Sequence, residues 1–233
     1  MRSPLVYLLA LGVVMVGALR AAPVAAATVT ATVTADNFYA IYLGSKTGQN
    51  VRFIGRNELG AGGNPGTYNW SQAETWSFAP LASDYLYIAA WSDNSIAQAL
   101  IGQFTYTGGQ FLTNLTDGWE VTLGNQDLGN NSPAPTVASL GSVVAAATWN
   151  NVQYSLNHGV SPWGKIAGIS DSAKWIWGTP LMNTGGSGAG EYQVFRRPLT
   201  GITPAPVPVP APMVLLASAL ALMPVLRRRH TAG

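Results

Sequence analysis

The chain of 233 residues contains no cysteine. That one absence excludes a disulfide framework, thiolate zinc sites and cysteine nucleophiles together. Histidine is nearly as scarce: His158 and His230 are the only two, and His230 sits in a basic cluster at the C-terminus. A single histidine between residues 28 and 200 is thin material for a metal site or a triad. Asn157-His158-Gly159 reads instead as a turn. No Gly-x-Ser-x-Gly elbow, two-histidine zinc spacing or EF-hand loop occurs. Gly60, Gly62 and Gly66 precede no helical pattern, so they build no phosphate cradle. No metal site and no cofactor is expected.

Charge is also sparse, at 9% of residues, and it is unevenly placed. Arg2, Arg20, Arg227, Arg228 and Arg229 all lie near the termini. Residues 28–200 keep seven basic against ten acidic side chains, a net charge of −3. A mildly acidic segment without a basic stripe is a poor nucleic-acid binder, so nucleic acid is excluded as a partner. No capped run of about twelve or more residues with helical period is visible in this segment.

The two ends read as addresses. Residues 1–27 have the zones of a secretory signal peptide, whose helix lies outside the domain: Arg2, an apolar centre from Leu5 to Val16, and small residues Val24-Ala25-Ala26-Ala27 for cleavage. At the other end, Arg197 and Arg227 bracket a stretch without any charge. Within it a proline-rich linker (201–212) leads to an apolar run, Met213 to Leu226, expected to be a transmembrane helix. A basic tail (227–233) follows, placed in the cytoplasm by the positive-inside bias, with Arg227, Arg228 and Arg229 as its stop.

The order Val207-Pro208-Val209-Pro210-Ala211, apolar helix, arginine cluster resembles a PEP-CTERM sorting signal. Val209 stands where the common form of that motif carries Glu. The resemblance implies export by the Sec machinery and processing by an exosortase-like membrane enzyme. The protein would be membrane-anchored before processing and at the surface or outside the cell afterwards.

Residues 28–200 read as one all-β domain. From Thr28 to Ala35, threonine alternates with Val/Ala, a period of two that only a strand uses. Further strands are expected at Phe38–Leu43, Val51–Gly55, Thr75–Phe78, Tyr85–Trp91, Ala97–Tyr106, Trp119–Leu123, Val143–Trp149, Ala173–Trp177 and Glu191–Arg197. Gly, Asn, Asp and Pro clusters separate them. Tyr85–Trp91 is apolar on both faces, as a central strand would be. Short strands at this spacing predict an antiparallel β-sandwich. The segments Ala35–Leu43, Trp70, Tyr85–Trp91 and Ala173–Trp177, closing with Phe195-Arg196, resemble a galactose-binding-domain-like jelly roll. That likeness implies eight or nine strands and carbohydrate as a ligand class.

All eight tryptophans lie in this domain. Sugars stack their C–H faces on aromatic rings while Asn, Asp and Gln take the hydroxyls. Most of the tryptophans are expected in the core, and Trp70 and Trp163, in Gly/Pro/Asn-rich loops, are the candidates for ligand contact. The predicted role is non-catalytic: a cell-envelope or extracellular-matrix protein binding extracellular polysaccharide. The alternatives are a carbohydrate-active enzyme using two of the ten carboxylates and a purely structural surface protein. Asp36-Asn37 and Asp93-Asn94 carry calcium-type oxygens, but such pairs more often bond their own turns.

Overall fold

The computed structural model describes residues 27–57, 70–92, 97–129, 132–178 and 191–202. Apart from Ala27, which is buried in the core, the expected signal peptide lies outside the described residues, as do the sorting motif, transmembrane run, arginine stop, Asp93 and Asn94. Among the described residues no helix is long and apolar enough to cross a membrane.

Two antiparallel sheets face each other. The first has the order β10 (Tyr154–Asn157), β11 (Lys174–Trp177), β6 (Ala99–Tyr106), β1 (Val29–Asp36), β4 (Glu74–Phe78), with β7 (Gly109–Leu112) also on β6. The second runs β3 (Arg52–Arg56), β2 (Phe38–Gly44), β5 (Tyr85–Trp91), β12 (Glu191–Pro198), β8 (Glu120–Asp127), β9 (Asn150–Asn151). The all-β sandwich expected from the alternation is present.

The alternation in β1 is realised residue by residue. Val29, Ala31, Val33 and Ala35 are buried between the sheets, while Thr30 and Thr32 are half-exposed on the outer face. Thr34 departs from this because a loop covers it, and its hydroxyl donates to the Trp70 carbonyl at 3.0 Å. Tyr39, Ile41 and Leu43 of β2 and Leu86, Ile88 and Ala90 of β5 complete the inter-sheet core. Burying a side chain of this size contributes about 1.5–3 kcal/mol, which is what a chain without disulfides relies on.

The opposite faces of β2 and β5 are buried too, and the cause is an element absent from the expected set. Val137–Ala146 forms helix α1, so the strand expected at Val143–Trp149 is corrected. Thr136 caps it, its Oγ1 accepting from the Ser139 N–H at 3.1 Å. Leu140, Val143 and Val144, at helical spacing, pack onto Phe38, Ala40 and Tyr42 of β2 and Tyr87, Ala89 and Trp91 of β5. The described elements thus form three layers: sheet, sheet, helix.

Two glycines let α1 approach. A Cβ on Gly141 would stand 2.8 Å from the Gly48 carbonyl oxygen, and one on Gly48 would strike the carbonyl of Gly141. Gly48 also has φ +75°, a conformation glycine adopts at no steric cost.

Candidate ligand groove

The structure separates the tryptophans into two groups. Trp91, Trp119, Trp163, Trp175 and Trp177 are buried, whereas Trp70, Trp76 and Trp149 are half-buried. The exposure expected for Trp163 is not found. Its indole stacks on Trp175 with centroids 4.6 Å apart, and its Nε1 donates to the Asp36 carboxylate at 2.8 Å. Its Gly/Pro/Asn-rich loop folds back over the first sheet, bringing Ile166 and Ile169 into the core alongside it. Trp70 packs against the same core from β1's side and keeps part of its surface in solvent.

His158 belongs to this covering loop. Its Nε2 accepts from the Ile166 N–H at 2.7 Å, so Nδ1 carries the proton and donates to the Ser170 carbonyl at 3.1 Å. Both ring nitrogens are used in holding the loop. Next to it Lys165 bonds Asp171 at 2.7 Å, which holds that exposed carboxyl below its ordinary range.

Other carboxylates are likewise tied into the fold. Asp84 accepts from Arg52 at 2.7 Å and from the Leu81 N–H at 2.7 Å. Asp117 accepts from the Leu112 N–H at 2.7 Å. Glu120 accepts from Arg196 Nε at 2.7 Å. The Arg196 guanidinium also lies 3.9 Å from the Trp149 ring centroid and 5.3 Å from that of Tyr85. This cation is clamped between two rings and a carboxylate, and it fastens the segment after α1 to β12.

That fastened segment forms one wall of a groove of about 440 Å³. The volume falls within the range of small-ligand sites. Thr148, Asn150, Asn151 and Gln153 come from the chain following α1, Val121, Thr122 and Leu123 from β8, Gln193 from β12, and Gly178 from the end of β11. The register explains the notch: β9 pairs with β8 only at Glu120 and Val121, so β8 runs on past the end of its short neighbour.

The lining contains three kinds of group: side-chain amides, hydroxyls and aliphatic carbons. No acid, base or histidine is among the described lining residues. Such a surface offers donors and acceptors for neutral polar groups and an apolar strip beside them. Among the described lining residues there is no pair of carboxylates of the kind glycoside hydrolysis uses.

Neither Trp70 nor Trp163 lines the groove. The sequence signal that was overlooked is local: Thr148, Asn150, Asn151 and Gln153 crowd amides and a hydroxyl around Trp149. Gln193 and Gly178 carry no such signal, because the pairing of β12 with β8 brings Gln193 there and Gly178 reaches it from the facing sheet.

Comparison with known proteins finds no matching family model, curated protein or solved structure.

Proposed function

We propose that this chain is an exported cell-envelope or extracellular-matrix protein whose sandwich is non-catalytic and binds extracellular polysaccharide. The observation that carries the binding reading is the uncharged, amide- and hydroxyl-lined groove at the β8–β9 notch. Polyhydroxylated chains need donors and acceptors in just such number, with aliphatic surface for their C–H faces. Delivery rests on the terminal sequences: a signal peptide for Sec export, and a tail similar to PEP-CTERM signals for an exosortase-like enzyme. The finer fold reading, a jelly roll similar to galactose-binding domains, is supported by the way the chain repeatedly crosses between the two sheets.

Titration of the full-length protein with exopolysaccharide from its native host tests the reading. Asn151→Ala and Gln153→Ala are expected to weaken binding several-fold each without changing the unfolding midpoint. Trp70 remains the aromatic candidate for an additional contact, so Trp70→Ala is the parallel variant. Full retention by all three variants, or no retention by the parent protein, would contradict the proposal.

A further inference from the structure

One polar group in the groove stands apart from the rest. Gln193 is 3% exposed, yet it lines the groove floor. Its Oε1 accepts from the Gly178 N–H at 2.8 Å. That bond fixes the amide orientation, since the nitrogen end cannot face an N–H donor. The Nε2 group is therefore turned away from Gly178, and among the described residues it has no hydrogen-bond partner. That nitrogen is not among the buried side-chain atoms without a partner, so it opens to the groove, where water or a ligand acceptor takes it.

The surroundings narrow the acceptor. Leu123 is the cross-strand neighbour of Gln193, on the same sheet face, and is 53% exposed. Directly opposed residues of this kind have Cβ atoms roughly 4.5–5.5 Å apart. Val121 flanks the same spot, its Cγ2 being 2.9 Å from where a Gly178 Cβ would stand. A Cβ there would also strike Gln193 Oε1, so Gly178 is what leaves room for the amide. The groove thus presents a fixed N–H donor beside a small aliphatic strip, with no cation among its described lining residues to call for an anion.

We infer that Gln193 and Leu123 form a subsite for an N-acyl group, so that the polysaccharide recognised carries N-acetylated amino sugars. The acyl carbonyl accepts from Nε2, and the methyl lies against Leu123 and Val121. This rests on the polysaccharide reading above and adds the sugar class. A ligand seated over this fixed donor seals it from water, so one lacking the acceptor leaves the donor bare and binds more weakly.

The test is a set of titrations of the full-length protein. The ligands are an N-acetylglucosamine oligosaccharide, its de-N-acetylated form, a glucose oligosaccharide of equal length, and host exopolysaccharide before and after de-N-acetylation. The N-acetylated ligands should bind at least about tenfold more tightly than their counterparts. Gln193→Glu keeps the acceptor for Gly178 and removes both donors, and it should cut that affinity about tenfold. Gly178→Ala should do likewise by displacing the amide. Leu123→Asn, at an exposed position that folding tolerates, should erase the preference even if the other variants fold poorly. Equal affinity for acetylated and plain chains, unchanged by Leu123→Asn, would overturn the N-acyl assignment and leave the polysaccharide reading standing. Binding of none of the ligands, host exopolysaccharide included, would overturn both.

Discussion

At the scale of single residues, the close contacts are made where side chains are missing. Gly48 and Gly141 meet backbone to backbone, and Gly48 holds φ +75°. Gly48→Ala combines a left-handed backbone with a clash against a carbonyl, so it should destabilise by about 1–3 kcal/mol. A urea titration should show a lower midpoint with an unchanged slope. A midpoint within error of the parent would mean that α1 does not sit where described. Neither glycine stood out in the sequence: Gly48 read as a loop residue, and Gly141 lay in an unassigned stretch. Close approach is a property of the partner surface, which the local sequence does not display. Trp163 illustrates the same limit from the other side. Its glycine- and proline-rich neighbours read as solvent-facing, whereas the loop carries its own apolar residues, Ile166 and Ile169, and closes over the sheet with them.

At the scale of elements, β2 and β5 carry the core on both faces, and three buried phenols come with them. Burial pushes the hydroxyls of Tyr39, Tyr42 and Tyr87 well above the ordinary tyrosine range. Each is also engaged. Tyr39 accepts from Trp76 Nε1 at 2.9 Å, Tyr42 donates to the Pro135 carbonyl, and Tyr87 donates to the Ser45 carbonyl at 2.6 Å.

A phenol whose folded pKa is raised supplies stability that is complete below its unfolded value, near about 10, and lost as pH rises above it. The domain should therefore unfold cooperatively in alkali. Tyrosinate absorbance from these residues should rise together with the loss of far-UV circular dichroism. Complete tyrosine ionisation with an intact spectrum would contradict the packing of β2 and β5.

The strands with clean alternation or continuous apolar runs (β1, β2, β5, β6, β12) were legible, since burial imposes their pattern. β7, β9 and β10 were not, being two to four residues long and carried by their neighbours. Helix α1 was misread because the adjacent β-branched pair Val143-Val144 mimics a strand. Its cap at Thr136 and the buried Leu140 lie upstream of the stretch that was weighed.

At the scale of the whole molecule, the charge distribution and the groove belong together. Setting the terminal arginines aside leaves a weakly acidic sandwich whose described carboxylates are largely engaged in the fold. The described lining of the groove at the β8–β9 notch is uncharged. The class of the fold could be read from the chain because alternation and turn chemistry are local. The groove could not, since its walls come from four separated segments, three joined by the order β12-β8-β9 and the fourth, Gly178, supplied by the facing sheet. Export and sorting make their own prediction. Protein recovered from the native host should lack both residues 1–27 and the Arg227–His230 tail, and intact-mass measurement decides it. A majority of molecules retaining that tail would contradict processing, although not polysaccharide binding.

The most direct test of the central claim is the salt dependence of exopolysaccharide binding, measured by titration of the full-length protein. A groove whose described lining is neutral offers no ion pairs to screen there, whereas charge-driven attachment weakens as the Debye length contracts from ~10 Å at 0.1 M to ~3 Å at 1 M. The account predicts an affinity that stays within about twofold across that range and is lost on substitution of Asn151 and Gln153. A steep fall with salt, or binding indifferent to those two amides, would contradict it.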